Sequence, residues 1–148
     1  MADRQSAKAT AREKAVSPGV AYEVAAERGA ELAGAALSKE QAGKAGAATH
    51  YGLGAGWAVV YPLLRHTVGG HPLLAALATG LSLELLVDQG ANAAYGFSAP
   101  PQRYPTSTHI RGFAGHVVYG LVVATAMELA WTVVRRRGQA PSMLSRRT

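Results

Sequence analysis

The long middle of this chain, residues 45–134, carries very few charged side chains, and this limits what the chain can fold into. Residues 45–64 carry no full charge at all. A helix of that length, with about 1.5 Å rise per residue, covers the roughly 30 Å hydrocarbon core of a bilayer. Residues 110–134 form a second apolar run, interrupted only by Arg111 and Glu128. A soluble core can also bury such helices, but two apolar segments of spanning length favour a membrane protein.

Shorter patterns divide the rest of the chain. Residues 1–17 alternate small and charged side chains, and we predict that they are disordered or frayed because they offer little apolar surface to offset the entropy of ordering. Residues 18–37 have a weak apolar face opposite several acidic residues, which predicts an amphipathic surface helix. Residues 38–137 then form the transmembrane domain, and residues 138–148 form a basic C-terminal tail.

Three helices of the transmembrane domain are predicted to cross the membrane. Ser38 and Gln41 fit a capping box that begins the helix of the first span. Pro100, Pro101 and Pro105 forbid a continuous helix between the second and third spans, and they predict a stiff loop. The fold class is therefore all-α: an integral membrane helical bundle with three transmembrane helices, an N-terminal amphipathic helix and a proline-rich loop. The spans cover about residues 45–64, 72–88 and 110–134.

The charge pattern indicates an orientation and excludes several classes of function. No cysteine is present, which excludes disulfides, thiolate metal sites and cysteine nucleophiles. The net charge is +6 at pH 7, and its densest run, from Arg135 to Arg137, directly follows the third span. Because positive residues beside a span mark the cytoplasmic side, we predict a cytoplasmic C-terminus. No aromatic residues interleave with these arginines, and we predict no binding to nucleic acid.

Several ionisable residues are predicted to share one depth in the bundle. The first and third spans run in the same direction, so His50 and His116 lie at similar distances from the starts of their spans. Glu84 and Asp88, at positions i and i+4 near the end of the second span, meet them there. Two carboxylates in a low dielectric repel each other and need a neutralising partner. The candidates for proton or ion binding are His50, Tyr51, Glu84, Asp88, His109, His116 and Tyr119.

Several interpretations of this cluster stay open. In the structural one, Arg111 pairs with Asp88, and Glu84 is protonated or bonded to Ser82 or a tyrosine. The histidines then only fix helix contacts by hydrogen bonds. In the second, histidine and carboxylates relay a proton or an ion. In the third, His50, His116 and a carboxylate bind a divalent metal, since these ligand types suit zinc. His50 and His116 could also ligate haem, but nothing else marks a porphyrin slot. No cofactor is predicted, and a divalent metal is the alternative that stays open.

Small residues at four-residue spacing let helices approach each other closely in lipid. The predicted helix-packing residues are Ala48, Gly52, Gly56, Gly112 and Gly115. No nucleophile stands at a recognisable spacing from a base, so we predict no enzymatic activity. The leading hypothesis is an accessory or scaffold protein whose partners are the lipid bilayer and either itself or another membrane protein. The competing hypothesis is transport or sensing of protons or divalent cations through the ionisable cluster.

Four motifs of this chain stand out together: residues 45–56 around His50-Tyr51-Gly52, residues 85–90 ending in Asp88-Gln89-Gly90, Pro100-Pro101 with Tyr104-Pro105, and His109-Ile110-Arg111-Gly112 through His116 to Gly120. They resemble the YagU-like family of small bacterial inner-membrane proteins. The order and spacing of the motifs are similar over residues 18–134, although Leu53 replaces an aromatic residue and Gln89 replaces an acidic one. The resemblance implies a helical protein of the bacterial inner membrane, and it implies no reaction because the function of the family is unknown.

Overall fold

The computed structural model describes residues 2–17, 19–67 and 70–138, and every regular element in these ranges is a helix. The all-α prediction is therefore confirmed, whereas the predicted basic tail lies outside the described residues except for Gly138. The helices are α1 (Ala2–Val16), α2 (Ala21–Leu32), α3 (Lys39–Trp57), α4 (Val60–Thr67), α5 (Pro72–Leu83), α6 (Asn92–Ala94) and α7 (Thr106–Gly138). A π-helix, Glu84–Ala91, joins α5 to α6, and a 3-10 turn, Pro101–Arg103, precedes α7.

Two helices of the described ranges are long and apolar enough to cross a membrane. They are the continuous helix Pro72–Ala94, which runs from α5 through the π-helix to α6, and α7. The second and third predicted spans lie inside these two helices. In α7, only 17% of the most apolar window is buried within the chain.

The prediction of a first span over residues 45–64 is wrong, because this segment is not one helix and is not among the helices that could cross a membrane. Helix α3 ends at Trp57, and α4 begins at Val60 after a short turn. Pro62 lacks a backbone N–H and its ring would clash with the carbonyl of Ala58, one turn earlier, so the helix breaks at that point. The three-span arrangement is thus replaced by two candidate spans.

The N-terminal residues also differ from their prediction. Helix α1 occupies Ala2–Val16, where we predicted a disordered or frayed segment. Its C-terminal end is anchored to the start of α7, since Glu13 Oε2 accepts a hydrogen bond from Thr108 Oγ1 at 3.0 Å and pairs with Arg111 Nη2 at 2.6 Å. Arg12 Nε donates to the carbonyl oxygen of Arg103 at 3.1 Å. Polar contacts therefore hold this helix in place. The prediction of disorder considered only apolar surface and left such contacts out.

Helices α2 and α3 form a hairpin. The predicted capping box begins α3, because Gln41 N donates to Ser38 Oγ and Ser38 N donates to the Gln41 side chain. The amphipathic helix α2 packs on α3. At their contact, a Cβ added to Gly46 would lie 2.9 Å from the backbone nitrogen of Glu23. Helix α2 therefore lies against the bundle.

The main contact of the fold joins α5 and α7 in antiparallel orientation. A Cβ on Gly80 would overlap the carbonyl oxygen of His116, and a Cβ on Gly120 would overlap the carbonyl oxygen of Ala76. Ala75 and Thr79 are fully buried beside this contact. The two backbones touch here because both glycines lack side chains.

The stripe of small residues predicted on α3 is not used in this way. Within the described part of the chain, a Cβ on Gly52 or Gly56 would have no heavy atom within 4 Å, and Ala48 is exposed. On α7, Gly115 is also open, whereas a Cβ on Gly112 would lie 2.8 Å from Glu84 Oε1. Of the predicted packing residues, only Gly112 makes a close contact between the described helices.

Helix α4 is fixed to the C-terminal half of α7 by a polar contact. Tyr61, which is fully buried, donates its hydroxyl to Glu128 Oε1 at 2.9 Å. Arg65 Nε donates to the same oxygen at 2.8 Å. The rings of Tyr61 and Trp131 stack with their centroids 6.1 Å apart. Glu128 therefore has its own cationic partner.

Replacement of Gly80 by alanine should lower the free energy of unfolding by about 1 to 3 kcal/mol, because the new methyl group meets backbone that cannot move aside. The matched control is Gly29→Ala on α2, where a Cβ has no heavy atom of the described chain within 4 Å. This control should raise the stability by roughly 0.5 to 1 kcal/mol through helix propensity alone. Denaturant unfolding of both variants in detergent measures the difference. Equal effects would contradict the close contact.

Candidate cation site

Three of the ionisable residues predicted from the sequence converge between the π-helix and α7. Glu84 is only 3% exposed, and Asp88 and His116 are half-buried. His116 Nδ1 lies 2.7 Å from Glu84 Oε2, and His116 Nε2 lies 3.5 Å from Asp88 Oδ2. One ligand atom from each of the three side chains lies within 4.8 Å of the other two. We call these three residues the acidic trio.

The glycine contact between α5 and α7 brings the trio together. Gly80 touches the backbone of His116, and Glu84 lies one turn further along its helix than Gly80. Gly112 lies one turn before His116 on the antiparallel helix, and its missing Cβ leaves the space that the Glu84 carboxylate occupies. The same close approach that packs the helices thus places a carboxylate beside an imidazole.

The π-helix sets which side chains support Glu84. Its backbone hydrogen bonds run from i to i+5, so Gln89 stands one turn from Glu84. Gln89 Nε2 donates to Glu84 Oε1 at 2.8 Å. Short π-helical stretches inside α-helices are frequent at functional sites. The sequence analysis assumed α-helical spacing and missed both the π-helix and the role of Gln89.

Asp88 is supported by two residues that sequence reasoning missed. Tyr22, on α2, donates its hydroxyl to Asp88 Oδ1 at 2.8 Å, and Asn92 Nδ2 donates to the same oxygen at 3.2 Å. Burial raises the pKa of the Tyr22 hydroxyl above its ordinary value, and the negative charge of Asp88 raises it further. Tyr22 therefore stays protonated and acts as a donor. Asn92, one helical turn after Asp88, could have been found from its spacing.

In one tautomer of His116, two atoms of the trio, His116 Nε2 and Glu84 Oε2, are free to bind a ligand. His116 Nδ1 lies 2.9 Å from the carbonyl oxygen of Gly112, to which its N–H can donate. The lone pair of Nε2 then faces Asp88. The close contact between Nδ1 and Glu84 Oε2 is not aligned as a hydrogen bond, and this buried oxygen has no hydrogen-bond partner among the described residues.

The structural interpretation, in which Arg111 neutralises Asp88, is not what the structure contains. Arg111 pairs with Glu13 on α1 at 2.6 Å. Ser82, which we considered as a partner of Glu84, donates instead to the carbonyl oxygen of Thr79 and accepts from Trp57 Nε1. Within residues 2–17, 19–67 and 70–138, no lysine or arginine forms an ion pair with Glu84 or Asp88.

His50 and Tyr51 lie on α3, beside the trio and not within it. The His50 ring contacts the Tyr22 ring with centroids 4.9 Å apart, and it contacts the Tyr51 ring at 5.4 Å. His50 is exposed, and 74% of Tyr51 is exposed. His50 thus reaches the trio only through Tyr22, and a metal site that uses both His50 and His116 as ligands is not formed.

His109 and Tyr119 connect helices to neighbouring backbone. His109 Nε2 lies 3.0 Å from the carbonyl oxygen of Pro101 and links α7 to the proline-rich loop. The Tyr119 hydroxyl donates to the carbonyl oxygen of Gly54 at 2.6 Å and links α7 to α3. Both residues were candidates for proton or ion binding, and both make structural contacts here.

The acidic trio borders two cavities. A cavity of about 280 Å³ is lined by Glu84 and Asp88 together with His109. A larger groove of about 550 Å³ is lined by His116 and His50. Tyr22 lines both. Because a water molecule occupies roughly 30 Å³ in the liquid, either cavity has room for water beside the trio.

Comparison with known proteins identifies no relative, since no family model, curated protein or solved structure matches this chain. The resemblance to the YagU-like family therefore stays a prediction from the sequence motifs. The chemistry of the acidic trio is the remaining basis for a function.

Proposed function

We propose that this protein binds a divalent cation through Glu84, Asp88 and His116, within a helical bundle embedded in a membrane. The observation that carries the proposal is Glu84 Oε2, a buried carboxylate oxygen with no hydrogen-bond partner in the described chain. A buried carboxylate oxygen without a hydrogen-bond partner is costly, and two neighbouring carboxylates with no lysine or arginine paired to them in the described chain favour a bound cation. A dication at the meeting point of the three ligand atoms offsets both charges.

The two cavities support exchange of the bound cation with the surroundings. The carboxylates of the trio line one cavity and the imidazole lines the other, so the site is reachable from more than one direction. An ion site that is accessible in this way suits transport or sensing better than a purely structural role. We therefore propose that cation binding serves one of these two activities.

The membrane setting is supported by apolar surface that the chain leaves uncovered. Only a third of the most apolar window of Pro72–Ala94 is buried, and still less of that of α7, whereas the core helix of a soluble protein is mostly buried. Val118, Val122 and Leu129 of α7 are each about three-fifths exposed. Lipid contact accounts for such a surface. The resemblance to the YagU-like family suggests the bacterial inner membrane.

Substitution of His116 by asparagine should weaken Zn²⁺ binding by more than about 100-fold, because it removes a metal ligand. Loss of a residue that only supports a metal ligand typically weakens metal affinity by about 10- to 100-fold. The matched control is His66→Asn, since His66 is an exposed histidine on α4. Isothermal titration with Zn²⁺ and metal analysis of the purified protein in detergent measure the effect. If wild type and H116N bind Zn²⁺ equally, or if neither binds it, the proposed function is wrong.

The proposed orientation puts the arginines in the last turn of α7 in the cytoplasm and the proline-rich loop on the outer face. Cysteines introduced at Gln102, before α7, and at Gly138, its last residue, should therefore react with a membrane-impermeant maleimide from opposite sides. Whole cells should label the Gln102→Cys variant, and only opened cells should label the Gly138→Cys variant. Labelling of both variants in whole cells would contradict this orientation.

A second candidate function is that of a non-enzymatic accessory or scaffold protein that associates with itself or with another membrane protein. It is favoured by the open face of α3, where Gly52 and Gly56 have no neighbour in the described chain and Val59 is 59% exposed. Such a face lets another helix approach closely.

Replacement of Gly56 by leucine should reduce crosslinked oligomers in membranes while leaving insertion unchanged, because the larger side chain separates the helices. Gly29→Leu on α2, another open glycine position, serves as the control and should not change crosslinking. An unchanged oligomer in G56L would remove the scaffold proposal.

A further inference from the structure

We propose that the acidic trio selects a transition-metal dication of the zinc type over Ca²⁺ and Mg²⁺. This inference rests on the proposed cation binding and adds the class of cation. It follows from which oxygen of each carboxylate is free, from the ligand types, and from the number of ligands that the chain supplies.

Each carboxylate of the trio presents only one oxygen to the ion. Glu84 Oε1 accepts a hydrogen bond from Gln89 at 2.8 Å, which leaves Oε2 as the ligand atom. Asp88 Oδ1 accepts hydrogen bonds from Tyr22 at 2.8 Å and from Asn92 at 3.2 Å, which leaves Oδ2. All three donors are neutral groups that occupy a lone pair without neutralising the charge. The carboxylates are therefore held as ligands with one oxygen each.

The third ligand is a nitrogen, and its orientation is fixed. The Gly112 carbonyl oxygen, 2.9 Å from His116 Nδ1, can accept the proton on that nitrogen and leave Nε2 for the metal. A histidine that donates its other N–H to a carbonyl is the usual arrangement at a metal site. Imidazole nitrogen suits zinc, iron, nickel and copper, whereas calcium and magnesium prefer oxygen.

The number of ligands points in the same direction. Calcium takes about six to eight oxygens, often from carboxylates that bind through both oxygens, and magnesium needs a near-ideal octahedron of oxygens. The trio offers one nitrogen and two oxygens, a set that zinc completes with one water. The 280 Å³ cavity beside Glu84 and Asp88 has room for that water.

The distance between the ligand atoms of His116 and Asp88 is compatible with one small ion. Two ligands that are each about 2.1 Å from a tetrahedral metal lie roughly 3.4 Å from each other. The observed separation of His116 Nε2 and Asp88 Oδ2 is 3.5 Å. In an octahedron with magnesium bond lengths the neighbouring ligands lie only about 2.9 Å apart. The spacing does not distinguish zinc from calcium, because the longer calcium–ligand bonds also fit it. The discrimination against calcium therefore rests on the type and number of ligands.

The test is a comparison of affinities for Zn²⁺, Co²⁺, Ca²⁺ and Mg²⁺, measured by isothermal titration on the full chain in detergent. Wild type should bind Zn²⁺ and Co²⁺ more tightly than Ca²⁺ and Mg²⁺, by more than about tenfold. His116→Asp replaces the nitrogen ligand by oxygen, and Gln89→Leu frees Glu84 Oε1 for a second bond to the ion. Both variants should lower the ratio of Zn²⁺ affinity to Ca²⁺ affinity, by about 10- to 100-fold for Q89L.

The ratio of two affinities separates a change in selectivity from a loss of folding, because a damaged site loses all ions together. Gln102→Leu, at an exposed position in the proline-rich loop, is the control and should keep the wild-type ratio. If Ca²⁺ and Mg²⁺ bind as tightly as Zn²⁺, or if H116D and Q89L keep the wild-type ratio, this inference is overturned while cation binding stands. If none of the four ions binds, the proposed function fails and this inference fails with it.

Discussion

The closest approach between α5 and α7 occurs at Gly80 and Gly120, where each backbone meets the other without an intervening side chain. Lipid does not push helices together as water does, so close backbone packing is a main source of helix association in a membrane. The contact also sets the distance between Glu84, one turn after Gly80, and Gly112, two turns before Gly120. A larger side chain at Gly80 would separate the helices and, with them, the carboxylate from His116. Packing and site chemistry therefore depend on the same backbone contact.

Local patterns in the sequence predicted those features that neighbouring residues determine. The capping box of Ser38 and Gln41 begins α3 as expected, because both hydrogen bonds form within one turn. The low charge of the second and third predicted spans corresponds to the two long apolar helices. The meeting of Glu84 and Asp88 with His116 also followed from simple reasoning about depth in antiparallel helices.

Features that depend on distant parts of the chain were not predictable in this way. Tyr22 bonds Asp88 across 66 positions, and no local pattern in the sequence indicates the pairing. The π-helix changes the neighbour of Glu84 from i+4 to i+5, and single-sequence periodicity does not distinguish the two. The sequence alone does not determine whether Pro62 kinks a helix or ends it, because the outcome depends on how α4 packs. Helix α1 is anchored by polar contacts of Glu13, and an argument from buried apolar surface does not predict such contacts.

Because contact partners lie far apart in the sequence, their contacts form late while the chain is being made. Asp88 leaves the ribosome well before His116, and the imidazole arrives with the last helix of the described chain. Glu13 likewise meets a partner, Arg111, that is made 98 positions later. The anchoring of α1 and the assembly of the site therefore both wait until α7 has been made. A cation held by all three side chains would bind only a chain in which α7 has already paired with α5.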